Sequence, residues 1–373
     1  MDRSIRAHTA LSATVLLALA ACSTGGGSGE ESEQEPATGD GAATSEPAGG
    51  TAEAGGEVVL VTHDSFTLPD ELIEGFSQQT GYELTVQTVG DAGALVNQLV
   101  LTQDSPIGDV AFGVDNTFAS RAANEGVFAP YSPELPEGAE QHALAGEGAE
   151  VLTPVDFGDV CVNIDDTWFA EEGIDPPATL QDLTDPTYDG LFVTPGASTS
   201  SPGLAFLLAT IGEFGEDGWQ DYWRELMANG TKVTSGWTDA YTVDFTAGGG
   251  DGDRPIVLSY ASSPPFTIPE DGGEPTTSAL LETCFRQVEY AGVLEGAANP
   301  EGGQALVDYL LTDEVQAAIP NAMYVFPVAE DVELPEVWSR WAKVAEDPIT
   351  VDPDEVEANR EEWVREWADI ATG

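Results

Sequence analysis

Basic side chains are scarce in this sequence: 11 Lys and Arg stand against 67 Asp and Glu, which gives a formal net charge of −56 at pH 7. A protein that binds nucleic acid needs basic surface to neutralise phosphates, so the composition argues strongly against such a partner. The acidity is compatible with solubility and with attraction of cations. Charge alone does not identify a ligand.

Histidine and cysteine are also rare, with three of each. His8 falls in an N-terminal export segment, which leaves His63 and His142, so we expect no metal site. His63, Asp64 and Ser65 are consecutive and alternate between the two faces of a strand, so they cannot form a catalytic triad. No Gly-x-Ser-x-Gly motif, dinucleotide fingerprint after the first strand or phosphate loop occurs. We therefore expect no catalytic residue and no cofactor.

Long hydrophobic runs are missing except near the N-terminus. Residues 1–21 resemble an export signal, in which Arg3 and Arg6 precede LSATVLLALAA, a run too short to span a bilayer. The sequence LAAC, ending at Cys22, looks like the lipobox of bacterial lipoproteins, which implies lipidation of the Cys22 thiol. A plain secretory signal with a chance cysteine is the alternative. The prediction places the protein on the outer face of the cytoplasmic membrane.

Residues 22–56 contain no aromatic residue and no Lys or Arg. Gly, Ser, Ala, Thr, Glu and Pro dominate, and such a segment cannot bury enough apolar surface to fold. We predict a disordered acidic tether that spans about 30–35 Å on average.

From residue 57 onward, strand-like and helix-like segments alternate. EVVLVTH (57–63), YELTVQTV (82–89) and GDVAFGV read as strands separated by helices, a pattern typical of a parallel sheet with crossover helices. The roughly 300 residues exceed what one core usually holds, so we expect two lobes.

Two long strand-like segments connect the predicted lobes: VLTPVDFGDVCVNID (151–165) and ETCFRQVEYAGVL (282–294). The prediction is lobe 1 at 57–155 and 288–373 and lobe 2 at 156–287, with parts of 313–340 allowed to contact lobe 2. QALVDYLLTDEVQAAIP is predicted as one helix ended by Pro320, and a last helix covers about 352–371.

Cys161 and Cys284 both lie in these strand-like segments. In an exported protein a disulfide between them is the expected state. Two free buried thiols are the alternative, since free cysteine packs as a small hydrophobic residue.

The stretch from Ser235 to Phe266 is rich in aromatic side chains. Trp237 and Tyr241 are four residues apart and share one face of a helix. IVLSY reads as a buried strand that ends at Tyr260, and the SSPP that follows cannot extend it. Ligands collect at such strand ends in open α/β sheets. The pattern indicates a slot for a flat, cationic small molecule; ordinary packing of the rings in the core is the alternative.

Polar residues follow the strands of the first predicted lobe. His63, Asp64 and Ser65 end the first strand, and Asp91 follows the second, where a crevice forms. Asp91 can equally be a helix N-cap. In the second lobe, Ser201 before Pro202 predicts a helix start with Ser201 as N-cap, and its backbone donors are suited to an anion such as phosphate.

Together these features are typical of the solute-binding protein of an ABC importer. Six segments in this order resemble the thiamine-binding periplasmic proteins: THDSF (62–66), GDAGALVNQL (90–99), TSSPGLA (199–205), SGWTDAY (235–241), VLSYASSPPF (257–266) and AIPNAMYVFPV (318–328). The resemblance covers nearly all of 57–373. It implies an α/β, type II periplasmic-binding-protein fold: two lobes, mixed sheets flanked by helices, and a hinge of two crossover strands. It also implies that thiamine or a thiamine phosphate binds between the lobes and passes to an ABC importer permease.

The resemblance also implies roles for individual residues. Asp91 is the acidic ligand, and Trp237, Tyr260, Phe266 and Tyr324 supply ring contacts. Ser200 and Ser201 would lie at the hydroxyethyl end or at a phosphate. His63 and Phe266 stand where the family commonly has Tyr, and Tyr324 where it commonly has Trp. The full predicted ligand-binding set is His63, Asp64, Ser65, Asp91, Ser200, Ser201, Trp237, Tyr241, Tyr260, Ser263, Phe266 and Tyr324.

Other readings are the same fold with another cation, or an enzyme. Ferric iron is bound in related proteins by adjacent tyrosines, and no Tyr-Tyr pair occurs here; a polyamine is the other cation considered. A thiamine-degrading enzyme would need a cysteine nucleophile in the cleft, which a paired Cys161 and Cys284 would not supply. We expect a monomeric binding protein and no enzyme.

Overall fold

The computed structural model describes residues 55–144 and 146–373. The predicted export signal, the lipidation at Cys22 and nearly all of the predicted tether lie outside the described residues. The ten described strands are β1 Gly56–Thr62, β2 Tyr82–Thr88, β3 Val110–Asp115, β4 Thr153–Asp165, β5 Phe192–Pro195, β6 Lys232–Thr234, β7 Ile256–Tyr260, β8 Thr277–Ala279, β9 Phe285–Val293 and β10 Phe326–Pro327. The described α-helices are α1 Asp70–Thr80, α2 Ala92–Leu101, α3 Ala119–Asn124, α4 Asp166–Glu172, α5 Ser201–Phe214, α6 Trp219–Ala228, α7 Pro300–Leu310, α8 Asp313–Met323, α9 Glu336–Trp341 and α10 Pro353–Thr372.

The strands form one mixed sheet in the order β2-β1-β3-β9-β4-β7-β5-β6, with β8 and β10 paired to β4. Two groups of parallel strands stand at its ends: β1, β2 and β3 form the first strand group, and β5, β6 and β7 form the second. Between them, β9 and β4 run antiparallel to each other and to their outer neighbours. The prediction of a mixed α/β fold with two long crossover strands is confirmed, while the predicted lobe boundaries stay a prediction.

β4 and β9 are the longest described strands, and both are almost continuously buried. Two further links hold them together. A disulfide joins Cys161 in β4 to Cys284, which precedes β9. Arg286 donates two hydrogen bonds to the buried Asp159 carboxylate, at 2.8 and 3.0 Å, and the Ala345 N–H donates a third at 2.6 Å.

Apolar side chains form two large cores: one lies between the first strand group and α1 and α7, and the other runs from α2 and β3 to the second strand group. The first strand group packs on α1 and α7 through Phe76, Leu306 and Tyr309. The second packs on α5 and α6, and α10 closes that core through Trp367, whose ring centroid lies 5.6 Å from that of Trp223. No helix within the described residues is long and apolar enough to cross a membrane.

Two local predictions were wrong. The helix expected to run continuously up to Pro320 is two helices, and Pro320 lies inside α8. Thr312 is extended, and Asp313 and Glu314 favour a new helix start after it. The N-cap of α5 is Ser200, not Ser201, because the Ser200 hydroxyl accepts from the Gly203 N–H at 3.5 Å.

Candidate functional site

A cleft opens where the carboxyl ends of the two strand groups face each other, as expected for an open α/β sheet. Its empty space, counted out to its mouth and including the solvent in the opening, is about 740 Å³. Of the twelve predicted ligand-binding residues, eight line it: His63, Asp64, Ser65, Asp91, Ser201, Trp237, Tyr260 and Tyr324. Ser200, Tyr241, Ser263 and Phe266 do not.

The Asp91 carboxylate bridges the cleft. As N-cap of α2, its Oδ1 accepts from the Ala92 N–H at 2.7 Å. From the opposite side, Oδ1 accepts from the Ser201 N–H and Oδ2 from the Trp237 N–H, each at 3.1 Å. Asp91 therefore both caps a helix and joins the segment after β2 to the segments after β5 and β6. The Asp91 carboxylate therefore already accepts from the Ser201 N–H at the start of α5, a backbone donor that the sequence suggested for an anion such as phosphate.

The two sides approach closely around this bridge. The Ser65 and Thr238 hydroxyls lie 3.2 Å apart across the cleft. A Cβ at Gly93, in the first turn of α2, would lie 2.8 Å from the Thr199 carbonyl carbon, closer than real contacts allow. Glycine at 93 therefore permits the cleft to close to this distance.

Trp237 forms the aromatic wall of the cleft. Its indole N–H donates to the Ser259 hydroxyl at 2.9 Å. Tyr241, one helical turn later, stacks on the indole with a centroid distance of 5.1 Å and an interplanar angle of 16°. Burial raises the pKa of Tyr241 to about 12, so its phenol stays neutral. Tyr241 thus supports Trp237 from behind and does not line the cleft.

Tyr260, at the end of β7, supplies a second ring. Its hydroxyl donates to the Gln287 side-chain oxygen at 3.1 Å, and burial holds its pKa well above the usual range. Ser263 accepts from the Tyr260 N–H at 3.2 Å, and its hydroxyl lies 2.9 Å from that of Ser259. Ser263 therefore holds the Tyr260 backbone and the Ser259 hydroxyl in place, and Ser259 in turn orients Trp237. Ser263 does not line the cleft itself.

Tyr324 brings the third ring to the mouth of the cleft. It is the residue other than glycine with a left-handed backbone among those described, with φ of 63°, a conformation that functional sites often hold. The Ser262 hydroxyl donates to its carbonyl at 2.6 Å. Phe266 packs on the outside of the Tyr324 ring, edge to face, at 4.1 Å between centroids. Ser200, by contrast, is fully buried beneath the start of α5.

Sequence reasoning missed the acidic floor of the cleft. Glu289 and Gln287 point into it from β9, and Asp156 of β4 stands opposite Glu289 in the strand register. His63 Nε2 lies 3.4 Å from Glu289 Oε1. An acid and a glutamine in the apolar run FRQVEYAGV were an available signal, because buried polar residues in a strand are unusual. Ala92, Pro202, Thr67, Thr238, Met323 and Val325 complete the lining.

Burial shifts the protonation of these acids. It raises the pKa of Asp156 to about 7 and, together with the adjacent Asp156, raises that of Glu289 well above its usual range. At the mouth, burial and the nearby Asp91 raise the pKa of Asp64. No Lys or Arg of the described chain lines the cleft. Rings with acids around them suit a flat organic cation.

The disulfide-bonded Cys161 and Cys284 do not line the cleft. The described part of the chain contains no group of three or more His, Cys, Asp and Glu placed to hold a metal ion.

Comparisons with known proteins point to one functional class. Residues 105–264 match the family described as bacterial extracellular solute-binding protein. The "Thiamine-binding periplasmic protein" of Escherichia coli K12 is 28% identical over 318 residues, covering 83% of this chain and 92% of that protein. The protein of the same name from Brucella melitensis is 28% identical over 326 residues, covering 85% and 92%.

A solved structure agrees with these relatives. The "Periplasmic thiamin binding protein" superposes with a TM-score of 0.74 and 26% identity, covering 84% of this chain and 96% of that one. The resemblance read from the sequence is thereby confirmed: over most of its length the chain is similar to thiamine-binding periplasmic proteins, and it has the two-lobe α/β fold of periplasmic solute-binding proteins.

Proposed function

We propose that this protein binds thiamine in the cleft between its two strand groups and delivers it to an ABC importer. The observation that carries the proposal is the convergence of Asp91, Trp237, Tyr260 and Tyr324, from four separated segments, on one cleft. The similarity to proteins named for thiamine binding supports thiamine as the ligand.

The chemistry of the cleft suits the parts of thiamine. Its aminopyrimidine is flat and can stack on Trp237, and its cationic thiazolium is attracted to rings by about 0.5–2 kcal/mol per contact. Glu289 and Asp64 add negative charge around the cation. Because the cleft lies between two halves joined by β4 and β9, a ligand that contacts both halves favours the closed arrangement.

The proposal includes an exported, monomeric lipoprotein. Lipidation at Cys22 would anchor it to the outer face of the cytoplasmic membrane, and residues 22–56 would act as a tether that lets the binding domain reach the permease. Cys22→Ala tests this part: the variant should appear in the soluble extracytoplasmic fraction, whereas the unchanged protein stays with the membrane. Membrane retention of the variant would contradict the anchor. We propose no enzymatic activity and no nucleic-acid partner.

Native mass spectrometry of the purified protein, followed by calorimetry, tests the ligand. Released thiamine and a sub-micromolar dissociation constant are expected. The panel includes the thiamine phosphates, spermidine and ferric citrate. Tighter binding of spermidine or iron would overturn the proposal in favour of the same fold with another cation, and conversion of thiamine to free pyrimidine would indicate an enzyme.

A further inference from the structure

The floor of the cleft holds three ionisable side chains whose protonation the proposed function has not yet used. His63 comes from the end of β1, Glu289 from the middle of β9 and Asp156 from β4. Asp156 is fully buried, and the side chains of His63 and Glu289 are 11% and 9% exposed. The exposed edge of Glu289 and the His63 ring face the cavity.

The Asp156 carboxyl lacks an ordinary hydrogen-bond donor. Neither of its oxygens accepts from an N–H or hydroxyl group of the described residues, and His63 Nε2 is likewise without a hydrogen bond there. The neighbour within bonding reach of Asp156 is the Glu289 carboxyl. Two carboxyl groups can hydrogen-bond only when one of them carries a proton. The pair therefore has the arrangement of a shared-proton dyad.

Charged and titratable groups of both signs surround the pair of carboxyl groups. The titratable and charged groups that face the pair from the elements packed against it are His63 and Asp64 after β1, Asp91 at α2, Asp115 at the end of β3, Tyr260 of β7 and, behind Asp115, Arg360 of α10. His63 lowers the pKa of Glu289, whereas burial, Asp156 and Asp115 raise it, and the raising effects are larger. Two adjacent buried carboxylates repel each other, so one proton stays with the pair.

Asp91 is less suited than Glu289 to act as counter-ion for a ligand. The Asp91 carboxylate already accepts from three backbone N–H groups. Among the described residues, the polar neighbours that face the Glu289 carboxyl most closely are His63 and Asp156, so its cavity-facing oxygen keeps lone pairs for a ligand. A cation on the floor of the cleft would therefore meet Glu289.

We propose that Glu289 is a specificity-determining residue that binds the cationic part of the ligand, and that the one proton held by Asp156 and Glu289 leaves for solvent when the cation binds. The inference rests on the proposed function. One carboxyl O–H bond breaks, its proton passes to the buffer, and the resulting carboxylate pairs with the cation; no bond of the ligand changes. Binding strengthens as pH rises, because the ligand-bound pair prefers the deprotonated form.

Calorimetry with thiamine in two buffers of different ionisation enthalpy counts the protons released. Around the value of about 7 for Asp156, we expect release that approaches one proton per thiamine near about pH 6 and falls toward zero by about pH 8, with affinity that rises by up to about tenfold per pH unit at the acidic end. Zero release across this range overturns the inference and leaves thiamine binding standing. A protein that binds no thiamine overturns both.

Variants identify the source of the proton. Glu289→Gln should lose the release and bind thiamine about tenfold more weakly, while Asp156→Asn should lose the release but keep the binding. His63→Gln separates imidazole from carboxyl as the source, and full release should persist in it. Release that persists in Glu289→Gln and Asp156→Asn, or that disappears in His63→Gln alone, contradicts the assignment. Should Glu289→Gln not fold, Asp156→Asn and the wild-type proton count still decide.

Discussion

The mouth and the floor of the cleft both carry buried or half-buried acids, but the carboxyl groups at the two places differ in the hydrogen bonds that they accept. Asp91 at the mouth accepts from three backbone N–H groups, two of them from across the cleft. Asp156 at the floor accepts from no N–H or hydroxyl of the described residues. A carboxylate that accepts several hydrogen bonds holds the surrounding segments in place. A buried carboxyl group without donors, beside a second carboxyl group, can instead gain or lose a proton. The acid at the mouth thus joins the two sides of the cleft, and the acids at the floor can pair with the positive charge of the ligand.

The largest effect is expected for a third buried acid, Asp159, whose carboxylate pairs with Arg286. Arg286→Met leaves the Asp159 carboxylate buried without its bidentate partner. We expect the free energy of unfolding to fall by about 3–5 kcal/mol, measured by urea denaturation. The control is Arg224→Met, whose side chain is 59% exposed and pairs with an 80% exposed Asp221; it should change stability by less than about 1 kcal/mol. Equal losses would contradict the role given to burial.

Asp91→Ala removes the bridge at the mouth. Because the Ser201 and Trp237 N–H groups lose their acceptor, we expect thiamine affinity to fall by about 100-fold, which corresponds to about 3 kcal/mol. Asp91→Asn keeps one acceptor oxygen and should lose less. Asp104→Ala, an exposed acid in the turn after α2, is the matched control and should leave calorimetric affinity unchanged. If Asp91→Ala bound thiamine with wild-type affinity, Asp91 would have no role in ligand binding.

Asp156→Asn tests the floor through stability. The folded protein holds the Asp156 proton up to about pH 7, whereas the unfolded chain releases it near 3.8. This group's contribution to stability is therefore lost as pH rises through that window. We expect the wild-type free energy of unfolding to decline by about 3 kcal/mol more than that of Asp156→Asn between about pH 4 and about pH 7. Parallel pH profiles from thermal denaturation would mean that Asp156 is ionised throughout.

The smallest effect concerns the form of thiamine. A phosphate at the start of α5 would have to displace the Asp91 carboxylate from the Ser201 N–H and would face like charge from Asp64 and Asp91. We expect thiamine diphosphate to bind about tenfold more weakly than thiamine. Tighter binding of the diphosphate in the same competition assay would show that Asp91 moves aside.

The sequence predicted the mouth of the cleft better than its floor, for a physical reason. Residues such as Asp91, Trp237 and Tyr260 follow strands or end them, and the ends of parallel strands share one edge, so local pattern and resemblance locate them. Asp156 and Glu289 lie within strands. They meet only because β4 and β9 pair in one particular register, which short-range pattern does not specify.

The same distinction applies to the fold. Alternating strands and helices predicted the mixed sheet, and the long buried segments predicted the crossover strands β4 and β9. The break between α7 and α8 was missed, since the apolar pattern continues through it. That break is held by Gln316, whose side-chain amide donates to the Leu310 carbonyl at the end of α7 and to the Val155 carbonyl of β4, a tertiary contact.

A crystal structure of the thiamine complex tests the central claim most directly. The account predicts thiamine between the two strand groups, with a ring against Trp237, contacts to Tyr260 and Tyr324, and the cationic ring beside Glu289. The chain offers a second large cavity, lined by His142, Arg286 and Tyr290. Thiamine bound there, or an empty cleft at saturating thiamine, would contradict the account.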